Sequence, residues 1–222
     1  MTFSIAARDP GTGAFGAAVA TGTVAVGATC PYVSERAAAC TQSYTRTEHG
    51  RDAVARAAEG EPIDGACETL LAADEYASYR QLHGVDADGN AYTFSGDDCV
   101  GWYGSRAGEN HTVAGNMLAG EAVVDAMDAA FVDADGDLAT RLVAALAAGA
   151  DAGGDKRGAD SAALLIHAAE PRLFHNLRID HDAAPVAALG DLLDRARENE
   201  ADLLADAGDD VPDELLRFGV KY

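Results

Sequence analysis

Alternation of apolar and polar residues starts at the second residue of this chain, stops at a turn cluster, and then resumes. Phe3 and Ile5 alternate with Thr2 and Ser4, Asp9-Pro10-Gly11-Thr12-Gly13 supplies the turn, and Phe15, Ala17 and Val19 alternate again. A period of two is the mark of a half-buried strand, and two such runs around a turn read as a β-hairpin. A second hairpin is expected at 79–86 and 91–95, joined by Asp88-Gly89-Asn90, whose residues tolerate the left-handed backbone of a tight turn. Further strands are expected near 38–42, 100–103, 111–116, 161–167 and 172–179.

Between these runs the period changes to that of a helix. One helix is expected over 51–58, and a second begins at Pro62 and places Ile63, Cys67, Leu70 and Leu71 on one face. Val123, Met127 and Phe131 mark a third, Leu138, Leu142 and Leu146 a fourth, and a long fifth covers 186–204. Hairpin-joined strands argue for antiparallel sheets, and helices arriving in pairs argue for helical layers over those sheets. The expected class is α+β. A four-layer αββα sandwich of antiparallel sheets fits this order, and one sheet with helices on a single face is the alternative.

The 222 residues suit one domain, expected over 1–206, with a tail at 207–222 whose Leu215, Leu216 and Phe218 suggest docking. No apolar run approaches the roughly 20 residues that span a bilayer, and the N-terminus lacks the features of a signal peptide. A cytoplasmic location is the default expectation. The net charge of −21, from 37 acidic against 16 basic residues, repels phosphate backbones and anionic lipid, so nucleic-acid and membrane partners are not expected. Such acidity also suits a high-salt cytoplasm, where screening removes self-repulsion. The four cysteines form no C-x-x-C pair and read as core thiols, and the six histidines lack zinc-ligand spacing, so no metal and no cofactor is expected. The partners expected are a small molecule and further copies of the chain in a homo-oligomer.

Several short segments in fixed order carry a resemblance. They are Thr2-Phe3-Ser4-Ile5, Ala7-Arg8-Asp9-Pro10, Thr12-Gly13, Thr41-Gln42, Tyr79-Arg80-Gln81 and Val85-Asp86. Phe94-Ser95-Gly96, Cys99, Trp102, Gly115-Asn116-Met117-Leu118, the run from Gly153 to Gly158 and Ser161-Ala162-Ala163-Leu164 continue the series. Over about residues 1–190 the chain resembles the family classified as domain of unknown function 1028, placed in the N-terminal-nucleophile (Ntn) hydrolase-like superfamily. Three departures stand out: Ala114 where Gln is frequent, His83 where a small residue is usual, and the strong acidity. The resemblance implies an αββα sandwich and hydrolysis of an amide (C–N) bond.

An Ntn site needs a Thr, Ser or Cys at the first mature position, whose own α-amino group, with a pKa of about 8, acts as base. Thr2 meets that need once Met1 is removed; the plain alternative is a β-branched strand residue. Thr2 and Ser4 point to one face of the first strand, so either hydroxyl could be the better placed. Gly115 and Asn116, at an expected strand end, could supply a backbone N–H and a side-chain amide to an oxyanion, or could simply form a turn. Arg80 and Gln81 lie in an apolar strand; Arg80 could hold a substrate carboxylate, or pair structurally with Asp86 or Asp155. Thr41 and Gln42 are expected to line the same cleft, or to satisfy local backbone groups. Asp155 and Arg157, in a glycine-rich loop, complete the candidate binding set. Both lysines lie away from these positions, so the lysine of proteasome-like sites has no counterpart here. A binding module without turnover, or an assembly protein, is the alternative on the same fold.

Overall fold

The computed structural model describes residues 2–154, 158–207 and 211. Among these residues it is an α+β protein with two antiparallel sheets and five α-helices. The strands are β1 (Thr2–Asp9), β2 (Ala14–Thr21), β3 (Pro31–Val33), β4 (Ala37–Ser43), β5 (Arg80–Asp86), β6 (Ala91–Ser95), β7 (Trp102–Gly108), β8 (His111–Leu118), β9 (Ser161–His167) and β10 (Asn176–Ile179). The helices are α1 (Thr47–Ala58), α2 (Ile63–Ala72), α3 (Ala122–Asp133), α4 (Leu138–Asp151) and α5 (Pro185–Ala207). The larger sheet runs β10-β9-β2-β1-β8-β7 and the smaller β3-β4-β5-β6. None of the described helices is long and apolar enough to cross a membrane.

Strand alternation decides what each face does. Phe3, Ile5 and Ala7 of β1 join Ala18, Ala20, Val113, Leu164 and Ile166 in a cluster with apolar residues of α3, α4 and α5. Ala6 of β1 belongs instead to a cluster with Phe15, Ala17 and Val19 of β2 and with Val33, Ala38, Cys40 and Val85 of the smaller sheet. A third cluster joins Ala37, Ala39 and Leu82 of the smaller sheet to Val54, Ile63, Cys67 and Leu71 of α1 and α2. Gly16 is needed where α4 crosses β2, because a Cβ there would lie 2.5 Å from Leu142 Cδ1.

Both hairpins form in the expected places, β1–β2 with Thr2 opposite Thr21 and β5–β6 with Gln81 opposite Ser95. Three expectations need adjustment. The helix expected over 51–58 starts a full turn earlier, at Thr47, where no apolar period announces it. The strand expected at 100–103 begins at Trp102 and runs to Gly108; Val100 is exposed, and Gly101 has φ 72°. The first half of the strand expected at 172–179 is a 3₁₀ turn, Leu173–His175, so that β10 is only Asn176–Ile179. Of the expected tail, all but Ala207 and Val211 lies outside the described residues.

Candidate functional site

Thr2 begins β1, a central strand of the larger sheet, flanked by β2 and β8. It sits opposite Thr21 on one side and Asn116 on the other. Its side chain falls on the face used by Ser4 and Ala6, away from Phe3 and Ile5. Thr2 is 7% exposed, and its Oγ1 lies 3.1 Å from Thr21 Oγ1.

Beside it runs a buried chain of polar side chains whose donors and acceptors can be assigned from one backbone atom. Gln81 is fully buried and approaches the Gly115 carbonyl at 2.9 Å. A carbonyl only accepts, so the amide end facing it is Nε2, which also reaches Ser95 Oγ at 2.8 Å. Gln81 Oε1 must then accept, and it does so from Gln42 Nε2 at 2.7 Å and Asn116 Nδ2 at 3.0 Å. Gln42 Oε1 in turn accepts the Ser4 hydroxyl at 2.7 Å. With that proton committed, Ser4 Oγ can only accept from His83 Nε2 at 2.7 Å, and His83 Nδ1 lies 2.9 Å from Thr112 Oγ1. His83 Nε2 therefore carries a proton. It donates to Ser4 and cannot take its proton, so of the two hydroxyls on this face Thr2 is the one open to activation.

The remaining sequence candidates separate. Arg80 lies on the opposite face of β5 from Gln81 and is held by Asp74, with Nε 2.9 Å from Oδ2, and by the Tyr44 carbonyl at 2.5 Å. Among the described residues its carboxylate partner is therefore Asp74, not Asp86. Asp86 instead accepts from the Ile63 N–H at the start of α2 and from the N–H groups of Asp88 and Asn90 in the β5–β6 turn. Asp74 also gathers Arg46 and His49, each at 3.4 Å. Burial alone would raise its carboxyl, but the Arg80 and Tyr76 donors hold it below the usual range. Burial lowers the pKa of His49, and the neighbouring Asp74 only partly offsets this.

Thr41 and Gln42 do not line one cleft: adjacent strand residues face opposite ways, and Thr41 Oγ1 donates to the Arg46 carbonyl at the start of α1. Gly115 and Asn116 lie within β8, which runs on to Leu118; the left-handed backbone falls at Met117, φ 54°. Gly115 is flanked by Phe3 and Gly104, offers its carbonyl to Gln81, and has no room for a Cβ, which would meet Leu118 Cδ1 at 2.4 Å. Asp155 and Arg157 lie outside the described residues.

Sequence reasoning missed Thr21, Ser95, Thr112 and His83 as members of the network, and Asp74 as the partner of Arg80. The signal for Thr21, Thr112 and His83 was present as polar residues at the inward period-two positions of largely apolar strands, whereas Ser95 ends the half-buried strand β6. Asp74 follows the end of α2, in a loop where periodicity says nothing.

What this arrangement offers chemically is a threonine at the end of a central strand, flanked by a hydroxyl and a carboxamide fixed from behind. Asn116 Nδ2 uses one hydrogen on Gln81, which leaves the second for a ligand. Among the described residues no group of three or more metal-binding side chains comes together.

The chain was compared with known proteins. No match was found among curated proteins. The crystal structure of protein SPO2555 from Silicibacter pomeroyi, itself assigned to DUF1028, is similar to this chain at TM-score 0.82 and 35% identity, over 88% of this chain and 85% of that one. Residues 2–189 match the family described as a family of unknown function, DUF1028, and the segment so matched includes β1 with Thr2, the Gln81 network and Asn116. This chain belongs to the DUF1028 family.

Proposed function

We propose that the protein hydrolyses a C–N amide bond of a small molecule, with Thr2 as an N-terminal nucleophile on an Ntn-like αββα sandwich. The observation that carries the reading is the position of Thr2, the first residue of a central strand, held between Thr21 and Asn116. The three apolar clusters support the layered reading, with α3–α5 against the larger sheet, the two sheets against each other, and α1–α2 against the smaller.

With Met1 removed, the α-amine of Thr2 takes the proton of its own hydroxyl as Oγ1 attacks the substrate carbonyl. The oxyanion is met by the N–H of Asn116 not engaged by Gln81, while Thr21 Oγ1 orients the nucleophile. The tetrahedral adduct collapses, the proton passes to the leaving amine, and water then hydrolyses the resulting ester of Thr2. Arg80 has no direct part in this reading, because Asp74 and the Tyr44 carbonyl already occupy it.

The test is amine release from a panel of small amides. Thr2→Ser retains turnover, and Thr2→Ala lowers kcat by about 1000-fold or more, as expected for removal of a nucleophile. Unchanged turnover in Thr2→Ala excludes Thr2 as the nucleophile, and no amine release by the unaltered protein favours a ligand-binding or assembly role on the same fold.

A further inference from the structure

Cys30 and Cys40 are two nucleophilic groups of the inter-sheet region that the proposed mechanism does not use. Both are buried, at 1% and 0% exposure, in the same apolar cluster. They come from neighbouring segments: Pro31 pairs with Cys40, and the Thr41 N–H donates to the Cys30 carbonyl at 3.1 Å. Cys30 precedes β3 and so lies outside its alternation; its side chain turns to the face of β4 that carries Gln42 and Cys40. The two thiols also contact each other, and Cys40 is further in contact with His83 and Ser4. Cys30 Sγ lies 3.6 Å from Gln42 Oε1.

A cleft of about 350 Å³ runs along the edge strand β3, lined by Gly27, Ala28, Pro31 and Tyr32, and Pro31 is the residue next to Cys30. Cys67 and Cys99 are placed differently, Cys67 on the buried face of α2 and Cys99 in the loop after β6 with its thiol toward the Arg80 carbonyl.

We propose that Cys30 and Cys40 form a redox-sensitive pair that a small hydroperoxide closes to a disulfide. The Cys40 thiolate attacks the distal oxygen of the hydroperoxide and breaks its O–O bond, giving a sulfenic acid at Cys40 and an alkoxide or hydroxide that takes up a proton. Cys30 sulfur then attacks the Cys40 sulfur and displaces hydroxide, which leaves with the Cys30 proton as water. The two thiols lose two electrons and the hydroperoxide gains them. Burial pushes the Cys30 thiol up and also opposes ionisation at Cys40, but the neighbouring Cys30 thiol and His83 ring outweigh burial there, so Cys40 is the attacking sulfur. Burial keeps Cys67 and Cys99 protonated. Closure ties β3 to β4 and removes the contact of Cys30 with Gln42, one bond away from the network that holds Asn116.

The test is hydrogen peroxide treatment of the folded full-length protein, followed by alkylation under denaturing conditions and tryptic digestion. Cleavage after Arg8, Arg36 and Arg46 puts Cys30 and Cys40 in separate peptides, 9–36 and 37–46. The expected product is those two peptides linked, with the loss of two hydrogens, formed at least about tenfold faster than any oxidation of Cys67 or Cys99. In Cys30→Ser the link is lost and Cys40 is trapped by dimedone as sulfenic acid. Free thiols at both positions, oxidation of Cys67 or Cys99 at an equal rate, or conversion of Cys40 to sulfinic acid without a link overturns the proposal.

Discussion

Gln81 shows how little of a site can rest on the residue that touches the ligand. It makes no contact with Thr2 in the hydrogen-bond network, yet Asn116, Gln42, Ser95 and the Gly115 carbonyl all converge on its amide. Gln81→Leu keeps the volume and strands those four partners in a buried space. Each unsatisfied group costs about 1–3 kcal/mol, so urea denaturation should show a loss of about 3 kcal/mol or more. A loss below about 1 kcal/mol would mean that water replaces the amide and the network does not fix Asn116. Thr2 and Asn116 were legible because they sit at recognisable points of the chain and come together through pairing. Arg80 was legible only as a charge in an apolar strand; which side of the strand it served depended on Asp74, whose loop position no periodicity reports.

Strands announced themselves more clearly than the segments that join them. β9 was readable to the residue, because Ser161–His167 is a short, largely apolar run bounded by Gly158 before it and Pro171 after it. The 3₁₀ turn before β10 was not, because it is fixed by tertiary partners rather than by local preference. The Leu173 N–H and the Arg172 guanidinium both reach Glu200 of α5, and the Arg172 N–H donates to His175 Nδ1. His175 is buried, and burial, with Arg172 close by, lowers its pKa to about 4. An unfolded chain binds a proton at this imidazole below pH of about 6.5, while the folded one resists until about 4. Stability therefore falls as pH drops from about 6.5 toward 4, and is unaffected by this group above that window. Urea midpoints measured from pH 7 to 5 should decline, and His175→Phe should flatten that decline; an equal slope in the variant would assign the effect to other groups.

Over the whole molecule the net charge of −21 opposes compaction, and screening relieves it. Thermal melts should therefore shift upward, by on the order of 10 °C between about 0.1 M and about 3 M KCl. A flat or falling melting temperature would remove the high-salt explanation of the composition. The same acidity hid nothing of the fold, because the charges lie largely outside the alternating apolar positions that set the three clusters. Hairpins and paired helices were thus readable from the chain, while the polar seam between the sheets required coordinates. That seam matters for chemistry only if the threonine at its edge carries a free amine. Peptide mass analysis of the N-terminus, before and after treatment with an acylating β-lactone, tests this directly. A chain starting at Thr2 that gains one acyl group on that residue, and none in Thr2→Ala, is the predicted result. Retention of Met1 in the cellular protein, or the same adduct in Thr2→Ala, would contradict it.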